Sequence, residues 1–90
     1  MSEPLRILMA EDLVSDAELE ERELRRAGLT FVTQRVETSA TFVAALAEFR
    51  PDLILSDYRM PMFDGMEALA LAREPAPGTP LIIVTGAVNE

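Results

Sequence analysis

The sequence predicts an α/β protein, one small domain with a parallel sheet covered by helices on both faces. Three observations predict it. Short apolar runs alternate with capped, helix-period stretches in the order β-α-β-α-β-α-β. The runs are nearly continuous in their apolar character, as strands buried on both faces are. Acids or a hydroxyl residue stand where several of these runs stop, at the end of the sheet where such folds place their ligands.

Leu5 to Ala10 (LRILMA) reads as the first buried strand, ended by Glu11 and Asp12. Ser15-Asp16-Ala17-Glu18 has the form of a capping box with Ser15 as N-cap. The helix it starts carries Ala17, Leu24 and Ala27 on or near one face and stops at Gly28. Phe31 to Val36 alternates only in part, as a strand near a sheet edge does. Thr38 or Ser39 caps a second helix with Phe42, Val43, Leu46 and Phe49 at helical spacing, and Pro51 ends it. Leu53 to Ser56 is a continuous apolar run leading into Asp57. Asp64 caps a third helix through Glu67, with Met66, Leu69 and Ala70 turned inward. Glu74 to Pro80, with three prolines and a glycine, is a loop, and Leu81 to Val84 is the fourth strand.

Composition removes several classes of function. The 90 residues contain no cysteine and no histidine, which excludes disulfides, thiolate metal sites and imidazole chemistry. The net charge is −8, and every one of the eight basic residues is arginine, so the chain has no lysine. Phosphate backbones are bound by clustered cations, so direct nucleic-acid binding is not expected. No apolar run approaches the ~20 residues that span a bilayer, and no leader is visible; a cytoplasmic location fits.

The acids carry the chemistry. If the first and third strands are neighbours, the carboxylates of Glu11, Asp12 and Asp57 converge. Carboxylates at close quarters repel one another and call for a cation. A hard divalent ion such as Mg2+ takes oxygen ligands, commonly one or two carboxylates with waters and phosphate oxygens. Asp12 and Asp57 could bind it directly, Glu11 through a water, and a backbone carbonyl after Asp57 could add a ligand. A carboxylate so placed can also act as a nucleophile toward phosphorus, with Thr85 supplying a hydroxyl to the transferred group. Each feature alone has an ordinary reading. Glu11-Asp12 can be a solvated strand end, Thr85 a partner for local backbone, Met60 and Met62 packing residues, and Pro61 and Gly65 turn residues. The order of acid pair, single acid and hydroxyl, each closing a buried segment, favours a site.

The same residues resemble the receiver domain of two-component response regulators. The family's acid pair matches Glu11 and Asp12. Its D-x-x-M-P-x-x-D/N-G signature matches Asp57, Met60, Pro61, Asp64 and Gly65, and its switch hydroxyl followed by a small residue matches Thr85-Gly86. The resemblance implies a flavodoxin-like three-layer fold with strand order 2-1-3-4. It implies Mg2+ (or Mn2+) held by Glu11, Asp12, Asp57 and the main-chain carbonyl of Arg59. It also implies transfer of a phosphoryl group onto Asp57 from a sensor histidine kinase or phosphotransfer protein. Met60-Pro61 would shape the loop and Asp64-Gly65 launch the next helix. Such a domain is a signalling module that assists its own phosphorylation and dephosphorylation rather than an enzyme.

The match departs from the family at its end. A receiver continues through a fourth helix, a fifth strand bearing a lysine, and a fifth helix, none of which these residues supply. Residues 1–90 are therefore expected to form a C-terminally incomplete receiver, a fragment of a longer protein. Its fourth strand would be an open apolar edge through which the chain self-associates. The alternative is a receiver-fold interaction module without phosphotransfer, which the missing lysine favours. A flavodoxin-like or hydrolase relative has little support, since neither a Gly-rich loop nor a D-x-D follows the first strand.

Overall fold

The four apolar runs form the strands of one parallel sheet in a computed structural model, which describes residues 3–85. The elements are β1 (Leu5–Ala10), α1 (Val14–Arg26), β2 (Phe31–Val36), α2 (Ser39–Glu48), β3 (Leu53–Asp57), α3 (Gly65–Arg73) and β4 (Leu81–Val84). The strand order is β2-β1-β3-β4, with every pair parallel. The order 2-1-3-4 and the sheet with helices on both faces are as expected.

Alternation along the central strands explains the layers. Ile7 and Met9 of β1, with Leu55 of β3, face α1 and pack with its Ala17. Leu8, Ala10 and Ile54 face the other way and pack with Phe42, Ala45 and Leu46 of α2 and Ala68 and Ala72 of α3. Both faces of β1 and β3 are thus buried, which is why these strands show no polar alternation. Each large side chain removed from water in this way stabilises the fold by about 1.5–3 kcal/mol.

The helix ends follow local chemistry. α2 has a reciprocal cap, with Thr38 accepting from the Thr41 backbone while Thr41 accepts from Thr38. Asp64 caps α3 through the Glu67 N–H at 2.9 Å, as expected. α1 closes with paired backbone bonds, Gly28 N–H to Arg25 and Leu29 N–H to Leu24. This Schellman arrangement requires the left-handed backbone that Gly28 adopts, φ 88°.

Several expected details differ. α1 starts at Val14 after Leu13, which has no side-chain cap; Ser15 and Glu18 do not form a capping box. The reason lies upstream: the Glu11 carboxylate accepts the Leu13 N–H at 3.2 Å and turns the chain into the helix before Ser15 is reached. Ala27 is the exposed C-cap rather than part of the packed face. Met66 and Ala70 face solvent, and Gly65, Ala68 and Ala72 face inward instead. Gly65 starts α3 close against the end of β3, and Ala68 and Ala72 follow it into the core with Leu71 partly buried beside them. Val43 is exposed while Ala45 takes its place in the core. Phe63, just before α3, is buried and meets the Phe42 ring at 5.4 Å.

Candidate metal centre

The strand register assembles the site. Ala10 of β1 lies opposite Ser56 of β3, so Glu11 and Asp57 stand at adjoining strand ends. The Glu11 N–H still bonds to the Val36 carbonyl at 3.0 Å, which keeps this residue in line with the sheet. Asp57 is the last residue of β3, one beyond the expected strand, and lies opposite Val84. As a result Glu11, Asp12 and Asp57 each offer a carboxylate oxygen within 4.8 Å of the others.

The loop after Asp57 is held by α3. Gly65 donates its N–H to the Tyr58 carbonyl at 3.1 Å. A Cβ at position 65 would sit 3.1 Å from the Asp57 carbonyl oxygen and 3.3 Å from the Tyr58 Cα. A side chain there would have to push the backbone back by a few tenths of an ångström, so glycine suits a helix that begins this close to the end of β3. Met60 packs partly buried against the core, whereas Pro61 and Met62 are exposed. Arg59 lies exposed in the same loop. Thr85 follows β4 at the same end of the sheet, exposed; Gly86 lies outside the described residues.

Burial and mutual repulsion govern the electrostatics. Glu11 is only 2% exposed. Desolvation, with the charges of Asp57, Glu20 and Asp16, pushes its pKa up to about 7, against the opposing pull of the Leu13 N–H. Asp57 is raised by desolvation and by Asp12 and Asp16, with backbone hydrogen bonds from Arg59 and Tyr58 acting the other way. Glu20 is raised by desolvation and then by Asp57 and Asp16. Among the described residues, the ion pairs link Arg6 to Asp52, Arg25 to Glu21, Arg26 to Glu23 and Arg35 to Glu37, and none reaches these acids. An all-oxygen donor set that no arginine pairs among the described residues fits a hard divalent cation.

Asp16 and Glu20 extend the acidic cluster beyond the residues singled out in the sequence. Their i,i+4 spacing on one face of α1 was the available signal. It stood among so many other acids of that helix that it did not stand out.

Comparison with known proteins agrees with this architecture. The family model described as "Response regulator receiver domain" matches residues 7–90. The chain is 45% identical over 65 residues to the DNA-binding transcriptional regulator NtrC of Escherichia coli K12, covering 72% of this chain and 13% of the regulator. It is 34% identical over 80 residues to the transcription factor SKN7 of Saccharomyces cerevisiae, covering 89% of this chain and 12% of that protein. The chain thus spans about an eighth of the length of these relatives. Among solved structures it resembles the receiver domain of the sensor histidine kinase PA1611 from Pseudomonas aeruginosa, which has a magnesium ion in its active-site cleft. That likeness has a TM-score of 0.77 and 29% identity, covering 94% of this chain and 70% of that one. With residues 7–90 matched by the family model and the fold in agreement, the chain belongs to the response regulator receiver domain family.

Proposed function

We propose that Asp57 accepts a phosphoryl group from the phosphohistidine of a sensor histidine kinase or phosphotransfer protein in a step that requires Mg2+ or Mn2+. The observation that carries this reading is the meeting of three carboxylates within 4.8 Å at the ends of adjacent strands, with no arginine paired to them. Asp12, Asp57 and the Arg59 main-chain carbonyl would hold the cation, with Glu11 bound through a water. Bound there, the cation would neutralise charge on the phosphoryl oxygens. An Asp57 carboxylate oxygen attacks phosphorus; the O–P bond forms as the P–N bond breaks, and the departing imidazole is protonated by solvent. Thr85, followed by Gly86, would turn its hydroxyl toward the phosphoryl group. Met60-Pro61 and Asp64-Gly65 keep Asp57 at the mouth of the loop.

In this reading the chain is a cytoplasmic signalling module rather than an enzyme, and its charge of −8 opposes direct contact with nucleic acid. The outer edge of β4 would serve for self-association, since Ile82 is 51% exposed and β4 pairs only with β3 among the described strands. A small-molecule phosphodonor with Mg2+ should add one phosphoryl mass to the wild-type protein and none to Asp57→Asn. The second reading, a receiver-fold interaction module without phosphotransfer, rests on the absence of lysine from these residues. Mg2+ binding without any phosphoryl addition would favour it.

A further inference from the structure

The end of the β1–β2 ladder contains an irregularity beside the acid pair. Along this ladder the register places Leu5 opposite Phe31 and Ala10 opposite Val36. Continued by one residue, the Glu11 N–H would reach Val36 and the Thr38 N–H would reach the Glu11 carbonyl. The first bond is present at 3.0 Å. The second is not made, because the Thr38 N–H turns to the Thr41 hydroxyl at 3.3 Å to cap α2. The Glu11 carbonyl receives the Arg35 guanidinium instead, with Nη1 at 3.0 Å.

We propose that Arg35 is a positioning residue for the acid pair, replacing the missing ladder bond at the Glu11 carbonyl and thereby fixing where the Glu11 and Asp12 carboxylates point. This rests on the cation reading of the site given above. Three features support it. The Glu11 carbonyl and the Asp12 N–H share one rigid peptide plane, so holding the carbonyl fixes the start of Asp12. Arg35 projects on the α1 side of β2, the side on which Phe31 packs with the α1 core and Thr33 bonds to Glu21. Glu37 comes only within 3.8 Å of the same guanidinium nitrogen, so the Glu11 carbonyl at 3.0 Å is its nearer acceptor. The bond to the carbonyl comes from one guanidinium nitrogen, Nη1, a single charged donor that an ammonium can also supply.

The test compares wild type with Arg35→Met, which keeps the aliphatic stem and removes the donors, with Arg35→Lys, and with Glu37→Gln. Mg2+ affinity is read by calorimetry, and exchange of the Leu13 amide is read by NMR without metal, after circular dichroism has verified the fold. Arg35→Met should weaken Mg2+ on the order of tenfold and speed Leu13 exchange. Arg35→Lys should recover much of both, and Glu37→Gln should stay near wild type. Wild-type affinity and wild-type Leu13 exchange in Arg35→Met would overturn the assignment of Arg35 alone. Equal damage from Glu37→Gln would also overturn it, by making the ion pair the cause. A wild-type protein that binds no Mg2+ would overturn the cation reading and this inference together.

Discussion

Buried Glu11 makes the metal-free protein sensitive to pH, with a sign opposite to that of an ordinary paired carboxylate. Burial and neighbouring acids move its pKa from 4.5 to about 7 on folding. The folded state then binds more protons than the unfolded chain between these values, so stability falls as pH rises through that window. At 1.36 kcal/mol per pH unit, the full displacement costs about 3 kcal/mol, of which roughly 2 is lost between pH 5.5 and pH 8. Glu20 and Asp57 are raised in the same direction and add to the trend. Urea denaturation of the metal-free protein at these two pH values measures it directly. Glu11→Gln keeps an acceptor for the Leu13 N–H without the charge, so it should flatten the profile and be the more stable protein at pH 8. In the proposed reading Mg2+ would bind the ionised form, so its affinity for wild type should rise roughly tenfold from pH 6 to pH 8, given a pKa near 7. Wild-type stability that is flat or rising from pH 5.5 to pH 8, at low salt and without metal, would refute the burial argument.

Two further substitutions probe how the loop after Asp57 is held. Gly65→Ala places a methyl 3.1 Å from the Asp57 carbonyl oxygen, and backbone cannot yield as a side chain would. It should destabilise the protein by about 1–3 kcal/mol in urea and displace the Tyr58 amide resonance. Asp64→Ala removes the acceptor for the Glu67 N–H and should cost about 1 kcal/mol in thermal melts, leaving Mg2+ affinity close to wild type.

Much of this molecule is legible in its sequence, because burial on both faces of a central strand leaves an unbroken apolar run. β1 and β3 stand out for that reason; β4 is equally apolar in sequence although it is an edge strand with Ile82 exposed, and β2 stands out less because its outer residues Val32 and Gln34 are exposed. The acids were readable too, since each follows a strand and the parallel order brings their ends together. Helix phase was harder. In α3 the sequence offers Met66 and Leu69 as the apolar face, yet the tight approach of Gly65 to Tyr58 selects Ala68 and Ala72. The start of α1 was hidden because its first turn is set by the Glu11 carboxylate, a tertiary role no local cap pattern encodes. Arg35 was invisible for a similar reason: its bond replaces one that exists only once β1, β2 and α2 are in place.

The central claim is that Glu11, Asp12 and Asp57 surround one divalent ion. Anomalous diffraction from crystals equilibrated with saturating Mn2+ tests it without relying on activity. The account predicts a single strong peak between the carboxylates of Asp12 and Asp57, with Glu11 reaching it through a water. Manganese bound elsewhere, with that position empty and the two aspartates turned apart, would contradict it.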